Sequence, residues 1–313
     1  MGIFSNTVMK LAIIDLGTNS IRFDIYLIKQ DYEVERLYRM KEMIRLGEEV
    51  FATGKLCDTA KQRCFKALDK IHAIMKAEEA DRTVAFATSA LRSAKNAKGF
   101  LKEINQRYDI PIQIISGKEE AYLIAKGILN NEIMPGPKNL FIDIGGGSTE
   151  ISVSYKHQIL DYESLDLGAA RLTQEYLYDD SKKAEGLAEF EKHIEGIMTR
   201  FKKDFPYFPI QTAIGSSGSI RALAKILKKS GQDYEPFLTS DLEKLVDKMI
   251  PLKREELLQI PGLDEKRVDI ILAGAYLYLL ICTHLGVEQT YTTDISLRDG
   301  IIDSEIEYLL KGN

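Results

Sequence analysis

The alternation of apolar and polar positions along the chain predicts an α/β protein. Short runs rich in β-branched and aromatic residues predict strands in "LAIIDLG", "RFDIYLI", "TVAFAT", "IPIQIIS", "NLFIDIG", "EISVSY" and "QTAIG". Apolar residues at helical spacing predict helices over residues 89–108 and in "EEAYLIAKGIL", "RALAKILKK" and "DDSKKAEGLAEFEKHIEGIMTRFKKDF". The longest apolar run, "IILAGAYLYLLIC" from Ile270, predicts a buried helix because it is shorter than the roughly 20 residues of a membrane span.

One stretch of this pattern occurs twice. "LAIIDLGTNS" at residues 11–20 aligns with "NLFIDIGGGS" at 139–148, and an alternating apolar run follows each copy. Both copies predict a strand, a tight glycine turn and a second strand. The copies place the same residue types at matching positions: Asp15 and Asp143, Gly17 and Gly145, Ser20 and Ser148. The repeat predicts two similar domains, and "MPGPKN" at 134–139 is the candidate linker.

Length and composition favour a two-domain cytoplasmic protein. A chain of 313 residues is long for one core, and 45% apolar with 28% charged residues is an ordinary globular balance. The net charge of −5 argues against nucleic acid as a partner. The start "MGIFSNTVMK" lacks the long apolar core of a signal peptide, so we expect a cytoplasmic location and no membrane partner. Three cysteines without CxxC spacing and four scattered histidines predict free thiols and no His/Cys metal site.

Three turns combine glycines with hydroxyl side chains, a composition typical of phosphate binding. Glycine lets consecutive backbone N–H groups point into one concavity, and hydroxyl groups add donors. The third turn also opens a predicted helix, whose N-terminus favours anions. The predicted phosphate ligands are Gly17, Thr18, Asn19 and Ser20, then Gly145, Gly146, Gly147, Ser148 and Thr149, and finally Gly215, Ser216, Ser217, Gly218 and Ser219. The sequence has no GxxxxGK[ST] motif, and Glu150 stands where GxGxxG needs its last glycine.

Carboxylates beside these turns indicate a magnesium site. Asp143 and Glu150 stand on either side of the second turn, and Asp15 holds the matching position beside the first. Mg²⁺ in proteins is held by a few carboxylates together with waters and substrate phosphates. These three residues are therefore the candidate metal ligands, and capping of the turn is the alternative role of Asp143.

Taken together, nine segments resemble the exopolyphosphatase / guanosine pentaphosphate phosphohydrolase (Ppx/GppA) family. In family order they are "IDLGTNSIR", "IRLGEEV", "FATSALRSAKN", "IISGKEEAYLIAKGI", "FIDIGGGSTEISV", "SLDLGAARL", "IGSSGSIRAL", "RVDIILAGAYL" and "SLRDGII". The resemblance implies two ribonuclease-H-like domains of the actin, sugar-kinase and Hsp70 superfamily, with the active site in the cleft between them. It implies a first domain at 1–130, to which a C-terminal helix at 299–313 returns, and a second domain at 131–298. Long family members carry a further HD-type domain, so this chain resembles a short form.

The resemblance also implies roles for individual residues. Glu120, the second glutamate of "GKEEA", would be the general base that activates the attacking water, and Arg22 and Arg92 would contact phosphate oxygens. Asp143 and Glu150 would lie at the metal and the reacting phosphate. Mg²⁺ is the implied cofactor, with Mn²⁺ as a substitute and a monovalent cation such as K⁺ as an addition. The remaining arginines of the matched segments are at least as well explained by structural ion pairs: Arg45, Arg171, Arg267 and Arg298.

The function implied by the resemblance is an exopolyphosphatase that releases terminal orthophosphate from inorganic polyphosphate. Three alternatives stay open. One is removal of the 5′ γ-phosphate of pppGpp, so that a guanosine polyphosphate is the substrate. The second is an ATP-binding kinase or ATPase of the same fold, and the third is a non-catalytic sensor of polyphosphate or alarmone. The resemblance is also compatible with a homodimer, since two-fold dimers are the commonest oligomers.

Overall fold

The chain forms two β-sheets, each with helices packed against it. The structure is a computed structural model that describes residues 9–207, 209–227 and 236–311. The strands are β1 (Met9–Leu16), β2 (Ser20–Ile28), β3 (Val34–Met43), β4 (Arg82–Ala87), β5 (Gln113–Ile114), β6 (Lys138–Ile144), β7 (Thr149–Tyr155), β8 (Gln158–Leu165), β9 (Thr212–Gly215), β10 (Phe237–Leu238) and β11 (Gln289–Thr292). The helices are α1 (Val50–Thr53), α2 (Asp58–Glu78), α3 (Ser89–Ser93), α4 (Ala97–Tyr108), α5 (Gly117–Asn131), α6 (Ala169–Tyr176), α7 (Lys183–Asp204), α8 (Gly218–Leu227), α9 (Thr239–Met249), α10 (Arg254–Leu257), α11 (Val268–Leu285) and α12 (Leu297–Leu310). The start of the predicted first domain (residues 1–8), the last two residues of the predicted helix "RALAKILKK" and the last two of the predicted C-terminal helix lie outside the described ranges.

Both sheets are built on the same plan. The strand orders are β3-β2-β1-β4-β5 and β10-β11-β9-β6-β7-β8. In each sheet a strand pairs antiparallel with the next strand of a meander and parallel with a later one: β1 with β2 and β4, and β6 with β7 and β9. The repeat seen in the sequence is therefore a structural repeat, and the predicted α/β class with two related sheets is confirmed.

The chain divides into two compact units, and the division differs from the predicted domain boundaries. The first unit is Met1–Ser116 with Ile306–Asn313, and the second is Gly117–Glu305. The first segment of the first unit ends at Ser116, one helix earlier than the predicted boundary after residue 130. The reason is that α5 packs on the second sheet, where Ser152 Oγ donates to the Ala121 carbonyl at 3.3 Å. The predicted linker at 134–139 thus lies inside the second unit. Helix α12 likewise belongs to the second unit up to Glu305 rather than only to the first.

Each unit has its own apolar core. In the first, Ile14 and Phe23 of the sheet lie in one buried cluster with Leu68 of α2 and Phe100 of α4. The core of the second unit is built around α11, whose apolar face is too wide for a surface helix. In the described residues, the stretch Glu265–Leu285 is long and apolar enough to cross a membrane, but 72% of its most apolar part is buried. A core helix has this composition, so the predicted buried helix is confirmed.

Two predicted elements are shorter in the structure than in the sequence pattern. The helix predicted over 89–108 is broken into α3 and α4, because Asn96 binds the backbone of Leu56 through both its amide atoms, at 2.9 and 3.0 Å. The strand predicted in "IPIQIIS" is reduced to β5, because it pairs with β4 only at Phe86 and Ala87. In both cases a tertiary contact determines the boundary, which the local pattern does not contain.

The cysteines are free thiols, as predicted. Cys64 and Cys282 are buried, and Cys57 is half-buried. Burial raises the pKa of the Cys64 thiol and that of the Cys282 thiol to about 12. Both stay protonated at neutral pH and are therefore structural rather than nucleophilic groups.

Helices α5 and α12 cross at two glycines within the second unit. A Cβ atom at Gly300 would lie 1.9 Å from the Leu123 carbonyl oxygen, and one at Gly127 would lie 2.8 Å from the Gly300 amide nitrogen. Two side-chain hydrogen bonds flank the crossing: Lys126 Nζ to Ser304 Oγ at 3.0 Å and Asn130 Nδ2 to Asp303 Oδ2 at 2.9 Å. Because α5 carries Glu120 in its first turn, this crossing helps to determine where that carboxylate lies.

Gly300→Ala is expected to lower the free energy of unfolding by about 1–3 kcal/mol, because the new methyl group can fit only if two helix backbones separate. The matched control is Gly196→Ala in α7, where an added Cβ has nothing within 4 Å. That change should stabilise the protein by about 0.5–1 kcal/mol, since glycine is a poor residue for a helix interior. Urea unfolding of both variants measures the difference, and an equal effect of the two substitutions would contradict the close crossing.

Candidate active site

Three carboxylates of the second unit come together from three different elements. Glu120 lies in the first turn of α5, Asp143 near the end of β6 and Glu150 near the start of β7. Asp143 and Glu150 are direct cross-strand partners in the hairpin. Glu120 is 9% exposed and Glu150 only 2%. Like charges placed opposite each other in a sheet are destabilising, so this arrangement costs stability and indicates a functional site.

The environment of Glu150 shows that the cluster concentrates negative charge. Burial is the largest cause that raises the pKa of Glu150 well above its ordinary value, and the charges of Glu120 and Asp143 raise it further. Hydrogen bonds from Ser164 and Ser148 oppose this rise, and the Ser164 hydroxyl lies 2.8 Å from Glu150 Oε1. A cation bound beside the cluster would favour the ionised form of all three carboxylates.

Asp143 is held by the third of the predicted phosphate turns. Ser216 Oγ donates to Asp143 Oδ2 at 2.6 Å. The Arg221 guanidinium in turn binds the carbonyl oxygens of Ser216 and Thr293 at 2.6 and 2.9 Å. The proton of the Ser216 hydroxyl is thus directed to a carboxylate, and the role of Ser216 in phosphate binding stays a prediction.

Other predicted hydroxyl ligands also have structural partners. Ser217 Oγ accepts a hydrogen bond of 3.1 Å from the Ile220 amide, so it caps the start of α8. Thr149 Oγ1 donates to the Leu167 carbonyl at 2.5 Å. Gly215 ends β9 and Ser219 is buried in α8. Gly218 is approached so closely by Arg267 that an added Cβ would lie 2.2 Å from a guanidinium nitrogen. The side chains of this region mainly support the site.

The backbone of the glycine turn has the geometry of an anion-binding site. The carbonyl oxygens of Gly145, Gly146 and Gly147 all accept hydrogen bonds of 2.8–3.0 Å from residues 169–171 at the start of α6. In a planar trans peptide the carbonyl oxygen and the following N–H point in opposite directions. With these carbonyl groups facing α6, the N–H groups of Gly146, Gly147 and Ser148 face away from it. Consecutive N–H groups on one side form an anion-binding nest.

The support from residues 165–171 was not assigned to the site from the sequence. A Cβ atom at Gly168 would lie 2.4 Å from the Gly147 amide nitrogen, so only glycine allows this contact. The sequence does contain a signal for this support. The segment "LDLG" at 165–168 stands at the end of β8, and the similar segment "IRLG" at 44–47 follows β3, the corresponding strand of the other sheet. The internal repeat therefore extends beyond the two hairpins.

The first unit uses the same device. The Gly47 amide donates to the Thr18 carbonyl at 2.8 Å, and the amides of Ile44 and Arg45 donate to the Asn19 carbonyl at 3.0 and 2.9 Å. By the same geometry, the N–H groups of Asn19 and Ser20 face away from this support. The turns also share their closing bond, from the Gly17 amide to the Ser20 carbonyl at 3.1 Å and from the Gly145 amide to the Ser148 carbonyl at 2.9 Å.

The two turns differ in charge. Asp15 is the cross-strand partner of Arg22, and the guanidinium lies 3.6 Å from its carboxylate. In the first hairpin Arg22 therefore stands opposite the aspartate, at the position that Glu150 holds in the second hairpin. Arg92 follows β4 at the same end of the sheet and donates to the Ile115 carbonyl at 3.1 Å. The negative charge of Asp15 is partly neutralised within its own unit, whereas the carboxylates of the second unit repel each other.

The residues of the second unit fit a magnesium ion. No three His, Cys, Asp or Glu side chains within residues 9–207, 209–227 and 236–311 are grouped as an all-protein metal centre. Mg²⁺ does not need one, because one or two carboxylates with waters and substrate phosphates usually bind it. Asp143 and Glu150 would supply oxygen ligands at a place where their mutual repulsion makes a divalent cation favourable. The ligand role of Asp15 stays a prediction.

Comparisons with known proteins agree with this architecture. A model of the Ppx/GppA phosphatase family matches residues 26–309. The crystal structure of the Aquifex aeolicus member of that family is 24% identical, with a TM-score of 0.77 over 98% of this chain and 99% of that one. An exopolyphosphatase from Cytophaga hutchinsonii is 24% identical, with a TM-score of 0.85 over 95% and 98% of the two chains. An exopolyphosphatase-like protein is 25% identical, with a TM-score of 0.80 over 97% and 99%. The fold is thus the actin-like fold of these structures, and the chain belongs to the Ppx/GppA phosphatase family.

Proposed function

We propose that this protein is a Mg²⁺-dependent exopolyphosphatase that releases terminal orthophosphate from inorganic polyphosphate by the attack of water. Its family and its exopolyphosphatase neighbours make it a hydrolase of phosphoric anhydrides. The observation that carries the finer proposal is the cluster of buried Glu120 and Glu150 with half-buried Asp143, beside an outward-facing row of backbone N–H groups. Carboxylates and amide donors together supply what phosphoryl transfer needs, which is a positioned nucleophile and stabilised phosphate charge.

Each group has a distinct role in the proposed reaction. The N–H groups of Gly146, Gly147 and Ser148 bind oxygens of the terminal phosphate. Glu120 accepts a proton from the attacking water, whose oxygen forms the new bond to phosphorus while the bond to the bridging oxygen breaks. Asp143 and Glu150 would hold the metal. When bound there, Mg²⁺ would neutralise charge on the phosphate oxygens.

The first unit offers a second set of candidate ligands. Its turn at 17–20 presents amide donors in the same way as the glycine turn, and Arg22 and Arg92 add positive charge. These assignments stay predictions.

Phosphate release by the purified protein tests the proposal. Short polyphosphate, long polyphosphate, pppGpp and ATP are compared at equal concentration, each with Mg²⁺, with Mn²⁺ and with EDTA. We expect polyphosphate to be shortened from its end, one orthophosphate at a time, and EDTA to abolish the reaction. Cleavage of pppGpp alone would move the assignment to alarmone turnover. Release from ATP alone, or full activity in EDTA, would overturn the proposal.

A further inference from the structure

One half-buried arginine contacts the glycine turn on the side of α6. Arg171, in the first turn of α6, donates through Nε to the Gly147 carbonyl at 2.8 Å and through its backbone N–H to the Gly146 carbonyl at 2.9 Å. Its side chain is only 14% exposed. The sequence left open whether this arginine forms a structural ion pair or binds substrate, and the turn contact fits neither description.

The ion pair of Arg171 does not explain why the side chain is buried here. Its Nη2 atom lies 3.0 Å from Asp166 Oδ1, and the Asp166 side chain is 85% exposed. Exposed ion pairs contribute little to stability. A hydrogen bond from a charged donor to a half-buried backbone carbonyl contributes more to stability than such an exposed ion pair. The bond to Gly147 joins the side chain to the glycine turn, in addition to its charge interactions with Asp166 and Glu175.

The bond to Gly147 has a directional consequence. The peptide group that links Gly147 to Ser148 is planar, so a carbonyl directed at Arg171 directs the Ser148 N–H away from it. The preceding two peptide groups are oriented by backbone amides of α6, which every residue type supplies. The peptide before Ser148 differs, because the side-chain Nε of Arg171 binds its carbonyl. In the described structure, the orientation of the peptide before Ser148 therefore depends on the side chain of Arg171.

We propose that Arg171 is a positioning residue that aims the Ser148 N–H at the terminal phosphate of the substrate. The inference rests on the proposed function, because it takes the amide row as the phosphate site. Arg171 acts through Gly147 and has no direct contact with substrate. The essential feature of the side chain is the N–H donor at the ε position rather than the positive charge.

Three substitutions separate the donor from the charge. Arg171→Gln keeps an N–H donor at the atom equivalent to Nε but removes the charge. Arg171→Lys keeps the charge but has carbon at that position, and Arg171→Met has neither. KM and kcat for polyphosphate, and binding of inorganic orthophosphate by calorimetry with Mg²⁺ present, are measured for each variant. Asp166→Asn controls for loss of the ion pair.

We expect Arg171→Met and Arg171→Lys to raise KM and to weaken orthophosphate binding by about tenfold, the effect of one lost hydrogen bond. Arg171→Gln and Asp166→Asn should stay close to wild type, and kcat should change less than KM. The reverse order, with lysine near wild type and glutamine near methionine, would show that charge is the relevant property and would overturn the inference. If methionine prevents folding, the glutamine and lysine variants still decide.

Orthophosphate binding also separates this inference from the proposed function. A wild-type protein that binds orthophosphate but does not cleave polyphosphate would refute the proposed activity, and the order of the variants in binding would still test Arg171. A wild-type protein that cleaves polyphosphate with equal KM for all four variants would refute only the role of Arg171.

Discussion

Glu120→Gln should lower the rate of phosphate release by roughly 10²–10⁴, the usual contribution of a general base. Glutamine has nearly the same shape and keeps the packing of α5, but its amide cannot accept a proton from water. Glu120 is 9% exposed and contributes negative charge to the Glu150 site, so it is both sheltered and electrostatically coupled to the cluster. Its removal should not destabilise the fold, because it relieves repulsion between buried carboxylates. Steady-state phosphate release and thermal unfolding of the same preparation measure the two effects.

The neighbouring glutamate supplies the control for this substitution. Glu119 stands in the same first helical turn, but it is exposed where Glu120 is buried. Glu119→Gln changes the net charge and the helix N-terminus in the same way, so it accounts for any effect on the helix dipole. We expect it to retain activity within about twofold, since it lies outside the buried cluster. Equal losses in both variants would remove Glu120 from the role of base.

Glu150→Gln should abolish most activity and yet stabilise the protein. Removing a metal ligand is expected to cost on the order of 10²-fold or more in rate, because a bound metal supplies several kcal/mol of charge stabilisation. At the same time the substitution removes a carboxyl group that is buried, 2% exposed and opposite Asp143. Relief of this strain should raise the free energy of unfolding by about 1 kcal/mol, as for other substitutions that trade activity for stability.

The stabilising effect of Glu150→Gln should depend on pH in a defined direction. The pKa of Glu150 is raised in the folded protein, above the ordinary value of about 4.3 for an exposed glutamate. The folded state therefore binds this proton more tightly than the unfolded state, and wild-type stability falls as the pH rises above that ordinary value. Below about pH 4 residue 150 is neutral in both the wild type and the Glu150→Gln variant. The two proteins should therefore be equally stable there. Added Mg²⁺ should recover stability at neutral pH in wild type but not in the variant.

Denaturant unfolding at several pH values tests this prediction, with and without Mg²⁺. Glu163→Gln is a suitable control, because Glu163 lies on β8 next to Ser164 but pairs with Lys118 at 3.1 Å instead of facing carboxylates. It should lack the stabilising effect. A Glu150→Gln protein that is less stable than wild type at neutral pH would show that the hydrogen bonds of Glu150 outweigh the repulsion.

The parts of the site that are close together in the chain could be predicted from the sequence. Asp143 and Glu150 are close in the chain, and a tight turn between alternating strands places them opposite each other. The repeat of the aspartate and glycine at residues 15 and 17 predicted a second sheet of the same kind, which the strand pairings confirm. Glycine clusters at strand ends indicated where backbone N–H groups would be available.

The tertiary structure decided which groups carry each role. Glu120 reaches the cluster only because α5 packs on β7 and β8, and this placement also moved the unit boundary to Ser116. Ser216 holds Asp143, and Arg171 holds Gly147, through contacts between segments that are far apart in sequence. Apolar periodicity and turn composition report on neighbours within a few residues, so they cannot specify such contacts. The sequence by itself therefore determined the class, the repeat and the paired carboxylates, while packing decided which hydroxyls bind the carboxylates and which way the amides of the glycine turn face.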